Sequence, residues 1–547
     1  MTVVLLLVTL AAMVVPPFVS APLPDSTPRK LVVGVCQHSP SLTAAAAAVR
    51  AHLQQHPGSK AEVVLCAGLH SLSRGLVLSS SDSGSASAPV LWRSDGRGTA
   101  VLEAGFRISG WRQSNSSSGG LWEAPLPRGV ESRQLWVDGR RAVRARSPAG
   151  ALITGTIGSA GYSNAHCVEE NAPPVCAGWG ATQPWSCPGS HVGYWHGVSS
   201  WTACRDKCCA IPTCTAAMYF AEINQDCYAL ARSVSNNTCS VTNEAQTAIR
   251  DLHPAPRPPP PPPACPSAPL GEWLTAGTEF VYQPAGATWT EPRCVVTSVE
   301  TLANGSTTIE MAQPCFTVAR GKFQGQEVTY PAYVENAKAL LTEPGEWWAD
   351  FAAANPVIFY KPLPGEAISR LDAVLGSVLN GTDGVGSPVG AAAASAAITL
   401  LPGAHHIAFQ GLMITHLTWL RPSSNYGFVD LNFGFFFVGE TAQHANVPHS
   451  LHGVPGAMVL HGAHSINITN CSFMHLGSSG IVTDAGSQEI RVEGCEFGDI
   501  SGCALSLGNV SEPNLAPSVQ DRRLTLTDNS MANVSEQPSS FLSCYMM

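Results

Sequence analysis

The sequence predicts an all-β protein, a right-handed parallel β-helix (solenoid) with an N-terminal capping helix and an inserted small disulfide-rich α+β module. Composition is the first reason for this fold class. Of 547 residues, 50 are Gly and 42 are Pro, whereas charged residues make up only 13%, about half of the ~25% usual in soluble domains. Such a composition favours strands and turns over long solvated helices.

A repeat toward the end of the chain is the second reason. Ile466 and Phe473 recur 24 residues later (490 − 466) as Ile490 and Phe497. Two further segments fit the same frame through Gly403, Ile407, Phe409 and Ile414, and through Leu524, Leu526 and Met531. Apolar residues alternate within each unit as they do in strands. The repeat therefore predicts stacked parallel β-coils, with an additional irregular coil around residues 428–437.

The N-terminal residues have the features of an export signal. An apolar run spans residues 3–15, and small residues precede Pro22, so residues 1–21 are predicted to be a signal peptide, with a short membrane anchor as the alternative. No later stretch reaches the ~18 to 20 apolar residues that span a bilayer. Eighteen cysteines without paired C-x-x-C motifs favour disulfides in a secreted protein over zinc sites. The sequons, compatible with glycosylation, are Asn115, Asn236, Asn304, Asn380, Asn467, Asn470, Asn509 and Asn533.

Composition also divides the chain into segments. Ser41 is a plausible N-cap for a helix that ends at Gln55, and strand-like runs follow at 61–66, 76–78, 89–92 and 99–102. A Cys- and Trp-rich stretch followed by consecutive prolines interrupts this pattern, which predicts an inserted module and a stiff spacer. The predicted domains after the signal peptide are residues 22–165 (N-terminal part of the β-helix domain), 166–252 (disulfide-rich insert), 253–264 (proline-rich linker), 265–394 (continuation of the β-rich domain) and 395–547 (β-helix coils).

Charge and motifs exclude several function classes. Net charge is −9 and no block rich in Lys or Arg is present, so the electrostatic footprint of a nucleic-acid-binding protein is missing. The sequence has no phosphate-binding loop, dinucleotide fingerprint, nucleophile elbow or H-E-x-x-H motif. We therefore expect no cofactor and no metal site, and neither phosphoryl nor hydride transfer.

Four polar residues occupy one position of the repeat, each two residues after an apolar position: His416, His475, Asp499 and Asn533. Stacking would place His475 beside Asp499. Such a pair can shuttle protons, because the carboxylate orients the imidazole and supports its charged form. The alternative is a polar ladder that only satisfies backbone groups at the turns.

Glycoside hydrolysis normally needs two carboxyl groups, ~5 Å apart for retention and ~6.5 to 9.5 Å apart for inversion. Asp499 with Asp484, or with Asp430, is the candidate catalytic pair. Trp419 and Tyr426 are the candidates for stacking against a sugar ring. A simple turn role is the alternative for Asp430 and Asp484.

Two further side-chain pairs have structural interpretations. Arg144 and Arg146 flank a strand-like run and are expected to form salt bridges rather than to bind substrate. Cys471 and Cys495 share a repeat position, where a buried thiol ladder is favoured over a disulfide, because in-register neighbours lie farther apart than the ~3.8 Å between Cβ atoms that a disulfide prefers.

A set of ordered segments carries a resemblance to a known family. The segments are 68–72 (GLHSL), 134–142 (QLWVDGRRA), 144–148 (RARSP), 334–337 (VENA), 344–350 (PGEWWAD), 359–362 (FYKP) and 475–481 (HLGSSGI). They resemble the large right-handed parallel β-helix proteins related to glycoside hydrolases, including family 141. The resemblance covers most of residues 31–165 and 270–533 and implies the fold more strongly than the reaction.

The insert carries a second resemblance. The segments 201–204 (WTAC) and 226–230 (DCYAL) and the cysteines between them are similar to PAN/Apple-type domains, in which a disulfide-tied helix lies on a small sheet. These modules bind proteins or carbohydrates. A generic disulfide-stapled insert is the alternative, and the cysteine pairing stays open. The disulfide candidates are Cys204, Cys208, Cys209, Cys214, Cys227 and Cys239.

The leading hypothesis is thus a secreted, carbohydrate-active, glycoside hydrolase-like protein that acts on a polysaccharide, with the Apple-like insert as an accessory module for a glycan or protein partner. The competing hypothesis is a non-catalytic extracellular protein that binds carbohydrate or protein. The repeats stop after Met531 without a predicted cap. The chain is therefore expected to be truncated, and an inactive fragment of the enzyme is a further alternative.

Overall fold

A computed structural model describes most of the chain. It covers residues 30–36, 40–114, 120–147, 153–167, 269–282, 290–304, 306–321, 328–367, 371–379, 396–431, 435–437, 451–508 and 516–534. Between residues 167 and 269 it describes the backbone of six strands, 185–186, 190–195, 214–220, 226–231, 240–241 and 246–249. The predicted signal peptide, the proline-rich linker and the candidates Cys204, Cys208, Cys209 and Cys239 lie outside the described residues.

Three sheets with only parallel strand pairs form one large part of this mostly β fold. The first parallel sheet has seven strands: Leu31–Val35, Ala61–Leu65, Val90–Ser94, His405–Gln410, His464–Thr469, Gln488–Glu493 and Thr525–Thr527. The second has five: Leu76–Leu78, Ile398–Leu400, Gly456–His461, Ser479–Asp484 and Leu505–Leu507. The third has six: Gly68–Ser71, Ala100–Glu103, Leu412–Thr415, Ser472–Leu476, Glu496–Ile500 and Ser530–Val534. The strand runs expected between residues 61 and 102 are therefore confirmed.

The 24-residue register is confirmed. Ile466 pairs with Ile490, and Phe473 pairs with Phe497. The two phenylalanine rings stack with centroids 5.1 Å apart and an interplanar angle of 7°. From residue 456 onward the chain passes through the second, first and third sheets in turn and then repeats that order. Like residues therefore stack on like residues.

One apolar core lies inside these sheets. In the strand His464–Thr469, Ile466 and Ile468 are buried while Asn467 between them is exposed, as period-2 alternation requires. The predicted N-terminal helix is also present, as Leu42–Gln55. Its N-cap Ser41 accepts a hydrogen bond from a backbone N–H of the first turn, and its buried alanines and valine join the same core.

The strands between residues 106 and 375 belong to antiparallel or mixed sheets. A four-stranded antiparallel sheet, called the cover sheet below, consists of Arg140–Arg141, Leu135–Val137, Ala373–Leu375 and Phe106–Arg107. A five-stranded mixed sheet consists of Val143–Arg144, Glu346–Asp350, Val357–Tyr360, Trp122–Pro125 and Arg112–Gln113. A six-stranded antiparallel sheet consists of Ile153–Ile157, Gly161–Cys167, Thr307–Met311, Arg293–Thr301, Glu279–Val281 and Tyr333–Glu335.

Short elements complete the described part of the chain. The short helices are Leu270–Trp273 and Cys315–Arg320, and 3₁₀ turns lie at Ser80–Asp82, Lys338–Leu340, Arg421–Ser423 and Pro517–Val519. The prediction of an additional irregular coil around residues 428–437 is wrong. That segment forms a three-stranded antiparallel sheet from Asp430–Leu431, Phe435–Phe437 and Leu451–Gly453, and all three phenylalanines of 435–437 are buried, which a coil strand with one solvent face does not permit.

The insert contributes two antiparallel sheets to the described backbone. One pairs Trp185–Ser186 with Ser240–Val241, and the other has the order Ser190–Trp195, Asp226–Ala231, Cys214–Phe220 and Gln246–Ile249. The candidates Cys214 and Cys227 lie in these strands, whose side chains are not described.

Cysteine usage differs between the sheets. Disulfides join Cys36 to Cys66 and Cys294 to Cys315, which is compatible with an extracellular protein. Cys471 and Cys495 are free and buried, which confirms the favoured thiol ladder. None of the helices in the described ranges combines the length and apolar character needed to cross a bilayer.

Candidate functional site

The four residues of the predicted column occupy equivalent backbone positions. His416, His475, Asp499 and Asn533 have φ angles of 61°, 56°, 52° and 52°. This left-handed region is uncommon for residues other than Gly, and among those residues Asn, Asp and His are enriched in it. The backbone conformation therefore accounts for the recurring residue types, and a chemical role has to be argued from contacts.

The structure brings His475 and Asp499 together as the register predicted. His475 Nδ1 lies 2.7 Å from Asp499 Oδ2, and the imidazole side chain is 23% exposed. No residue in the described ranges provides a hydrogen-bond partner for His475 Nε2. The pair thus leaves one ring nitrogen available for proton exchange.

Asp499 is bound on both carboxylate oxygens. Arg141 Nε donates to Oδ1 at 2.6 Å, and Trp136 Nε1 donates to Oδ2, which also faces His475. Burial by itself would raise the pKa of Asp499, but the His475 hydrogen bond and the Arg141 charge outweigh it and hold that pKa well below the usual range. The carboxylate therefore stays ionised, and it can orient the imidazole and stabilise its charged form but is a poor proton donor.

Trp136 covers the column. It belongs to Leu135–Val137, one of the two inner strands of the cover sheet, and is 1% exposed. Its ring centroid lies 5.1 Å from that of His416 and 6.0 Å from that of His475, and the Arg141 guanidinium lies 5.0 Å above the Trp136 ring. Sequence reasoning missed the role of Trp136 and Arg141, although both lie in the 134–142 segment that carries the family resemblance.

His416 is paired with a different carboxylate. Its Nδ1 lies 3.1 Å from Glu103 Oε1, and Arg107 binds both oxygens of Glu103. Burial lowers the pKa of His416 despite the opposing hydrogen bond and charge of Glu103, so the imidazole is neutral near pH 7. Its ring stacks on His475 with centroids 5.4 Å apart.

Asp499 and Glu103, the partner of His416, do not match a hydrolase pair. Glu103 and Asp499 lie on strands that are three steps apart in the third parallel sheet, about 14 Å at ~4.8 Å per strand. Hydrolysis by two carboxyl groups uses separations of about 5 to 9.5 Å. Glu103 and Asp499 therefore do not form such a pair.

The other predicted carboxylates have separate environments. Asp484 ends a strand of the second parallel sheet, where its Oδ1 lies 2.6 Å from His461 Nδ1. That hydrogen bond raises the pKa of His461. Asp430 Oδ1 accepts a hydrogen bond of 2.9 Å from the backbone N–H of Glu291. The pairing of Asp499 with Asp484 or with Asp430 therefore stays a prediction.

The two predicted stacking residues differ in exposure. Trp419 is 5% exposed, and the rings of Phe428 and Phe436 lie 5.8 and 5.2 Å from it. Trp419 therefore packs in an aromatic cluster, and its ring has no exposed face for the expected contact with a sugar. Tyr426, in contrast, is 43% exposed.

Arg144 has the structural role expected of it. Its Nη1 contacts Glu279 at 2.7 Å and Glu335 at 3.2 Å. Arg133 and Arg293 bind the same two buried glutamates. Within the described ranges, no group of three or more His, Cys, Asp or Glu side chains is arranged to hold a metal ion.

Comparisons with known proteins bear on the fold. No family model and no curated protein matches this chain. A solved structure titled "Glycoside hydrolase" matches with a TM-score of 0.51 and 18% identity, covering 93% of this chain and 74% of that one. A structure of XylC with xylose has a TM-score of 0.22 and 7% identity over 92% of this chain and 62% of that one, and a score that low carries no argument. The chain therefore has a fold related to that of a glycoside hydrolase.

Proposed function

We propose that this chain is a secreted right-handed parallel β-helix protein that acts on a polysaccharide, with His475 as its proton-transferring residue. The repeated passage through three parallel sheets supports the β-helix, and the disulfides support secretion. The observation that carries the chemistry is the imidazole of His475, which is held at Nδ1 by Asp499 and has no described partner at Nε2.

The contacts of Asp499 define how the pair would work. Because the carboxylate is ionised and fixed by Arg141, it holds the proton of His475 on Nδ1 and leaves Nε2 as an acceptor. Nε2 then takes a proton from the attacking water, the leaving sugar oxygen takes a proton from solvent, and His475 afterwards releases its proton to solvent, so that one glycosidic bond and one water are consumed. Asp499 stabilises the imidazolium that exists between the two transfers.

Release of reducing ends from a panel of plant, algal and microbial polysaccharides tests this role. His475→Gln should abolish cleavage, and Asp499→Asn should lower the rate by about 10² to 10⁴-fold, the usual contribution of general acid–base catalysis. His461→Gln is the matched control, because His461 forms the equivalent pair with Asp484 in another sheet. Full activity of purified His475→Gln would exclude the assignment.

A non-catalytic carbohydrate-binding protein is the second candidate. The observation that favours it is the cover sheet, since Trp136 lies over the histidine column and fills one hydrogen-bonding position of Asp499. A purified chain that is retarded by polysaccharide in native gels, yet releases no reducing ends, would support this function over catalysis.

The insert has a separate proposed role. We assign residues 166–252 to a PAN/Apple-like module that binds a glycan or a protein partner, on the sequence resemblance and on its two antiparallel sheets. Deletion of the module in the full chain should leave cleavage of short oligosaccharides unchanged and weaken retention on the polymer.

A further inference from the structure

A cavity of about 660 Å³ lies where three chain segments meet. It is lined by the hairpin tip 159–160, by Gln313, Pro314 and Thr317, and by Asn425 and Tyr426. None of these residues belongs to the histidine column. The volume falls within the ~300 to 1,000 Å³ of small-molecule sites. We propose that this cavity is a second carbohydrate site, which binds a neutral oligosaccharide with Tyr426 as the stacking surface.

The Tyr426 ring is fixed on one face. The guanidinium of Arg421 lies 5.0 Å from its centroid and 4.8 Å from that of Phe436, so the cation is held between the two rings. Arg421 is buried, whereas Tyr426 is 43% exposed. One ring face is thus anchored while the ring remains accessible. A rigid aromatic surface of this kind binds the C–H face of a sugar with little loss of side-chain entropy.

The loop that carries Tyr426 is clamped to the six-stranded sheet. Gly427 has a φ of 54°, and a Cβ at that position would lie 2.2 Å from Cys315 Sγ. Arg293 and Phe428 exchange backbone hydrogen bonds of 2.8 and 2.9 Å, and a disulfide joins Cys294 to Cys315. The loop therefore presents Tyr426 in one position, and binding does not have to order it.

Hydrogen bonds orient polar side chains that line the cavity. Gln313 Oε1 accepts hydrogen bonds from the backbone N–H and the hydroxyl of Thr317 at 3.2 and 2.7 Å. This fixes the amide so that Nε2 donates weakly to Ser159 O at 3.4 Å and to Met311 O at 3.5 Å. The Thr317 hydroxyl oxygen and the exposed Asn425 amide match sugar hydroxyls, which both donate and accept.

Charge decides between classes of sugar. No lining residue is ionised at neutral pH. Arg421 contacts the Tyr426 ring and Arg320 Nη1 donates to Gly158 O at 2.7 Å, but neither cation is a lining residue. A uronate would therefore lose part of its hydration without a cation among the lining residues to pair with it. The cavity favours neutral sugars, a choice of ligand that rests on the proposed action on polysaccharide.

Calorimetric titration of the full chain tests the site. The probes are hexasaccharides of β-1,4-linked glucose, xylose and mannose, with oligogalacturonate as the anionic comparison, in a His475→Gln background that prevents cleavage. Tyr426→Ala should weaken binding of a neutral hexasaccharide at least tenfold, or about 1.4 kcal/mol. Tyr426→Phe keeps the ring and should bind within about threefold of the parent. Leu302→Ala, at an equally exposed position (43%) outside the cavity, is the matched control.

Three results would overturn the inference: no neutral hexasaccharide binds, Tyr426→Ala binds as well as Leu302→Ala, or oligogalacturonate binds as tightly as the neutral probes. The fate of the proposed hydrolytic function is read separately, from reducing-end release by the His475 parent. Tyr426-dependent binding without cleavage would sustain the second site and remove the catalytic proposal. Cleavage with Tyr426-independent binding would do the reverse.

Discussion

Replacing Ile468 by Asp is the most direct test of the stacked register. Ile468 is fully buried and lies between Phe409 and Val492 on the neighbouring strands. The substitution removes an apolar side chain from the core and places a carboxyl group there. The outward-facing Ala408, in register with the exposed Asn467, offers a control position in the adjacent coil.

The expected cost has two parts. Loss of the buried isoleucine costs about 1.5 to 3 kcal/mol. Burial raises the pKa of the new carboxyl by up to ~3 to 5 units. At pH 7 only the part of this shift between the unfolded pKa of ~3.9 and pH 7 counts, about 3 units, which corresponds to about 4 kcal/mol. The sum of about 6 kcal/mol is comparable to the whole ~5 to 15 kcal/mol by which domains are stable.

The sign of the pH dependence is specific to a buried carboxyl. Its folded pKa is raised, so the carboxyl costs least below the unfolded pKa of ~3.9, and the cost grows as the pH rises toward the folded pKa. The difference in stability between Ile468→Asp and the parent should thus be about 4 kcal/mol smaller at pH 4 than at pH 7. Urea unfolding followed by tryptophan fluorescence at both pH values measures this difference.

The free thiols Cys471 and Cys495 provide a local readout of the same coils. Both are buried, so a thiol reagent reaches them only when the coils open, and 1.4 kcal/mol of lost stability raises labelling about tenfold. Ile468→Asp should therefore be labelled about 10⁴ times faster than the parent at pH 7, and Ala408→Asp within about tenfold of it. Equal labelling of the two variants would refute the inward orientation of Ile468.

Three further predictions follow from the charges and cysteines. Arg141→Gln leaves Asp499 without its cation and should cost about 3 kcal/mol at pH 7. The lowered pKa of Asp499 contributes stability that is complete above the unfolded pKa of ~3.9 and is lost as the pH falls from there toward the folded pKa, so the urea midpoints of parent and variant should lie closer together at pH 3 than at pH 7. Burial and the neighbouring His464 and His406 lower the pKa of His405, so the melting temperature should fall as the pH drops below ~6.5. His405→Gln should remove part of that fall, and an unchanged dependence of the melting temperature on pH in this variant would contradict the prediction. Cysteines of residues 166–252 should resist alkylation in the native, unreduced chain, and mass spectrometry that finds most of them alkylated would contradict a disulfide-bonded insert.

The strand register of the parallel sheets could be predicted because its sequence signal is local and periodic. Ile466 and Ile490 alternate with polar neighbours and recur at one spacing, and nothing else in the chain has to be known to align them. The segment 435–437 lacked that signal. Three buried phenylalanines in a row carry no period-2 alternation, and their place in a small antiparallel sheet is set by partners at 430–431 and 451–453.

The cover sheet could not be predicted for a related reason. Trp136 and Arg141 lie more than 300 residues from Asp499 in sequence, and a contact across such a separation leaves no periodic trace in one chain. The same holds for Glu103 and His416. Sequence reasoning therefore found the column of polar residues but not the cover-sheet residues Trp136 and Arg141 that contact it.

Left-handed backbone conformations at the corners between strands of different parallel sheets affect how columns of polar residues there are interpreted. A second left-handed corner, between strands of the first and third parallel sheets at Gly411, Asn470, Gly494 and Asp528, also has φ values of 51° to 64° and uses Gly, Asn and Asp. Because the backbone selects these residue types at both corners, a column of His and Asp is weak support for catalysis. What distinguishes His475 is its environment, in which one nitrogen is bound by an anion that Arg141 keeps ionised and the other has no described partner. The chemistry of this fold should therefore be sought where a corner residue gains a contact that the corner itself does not require.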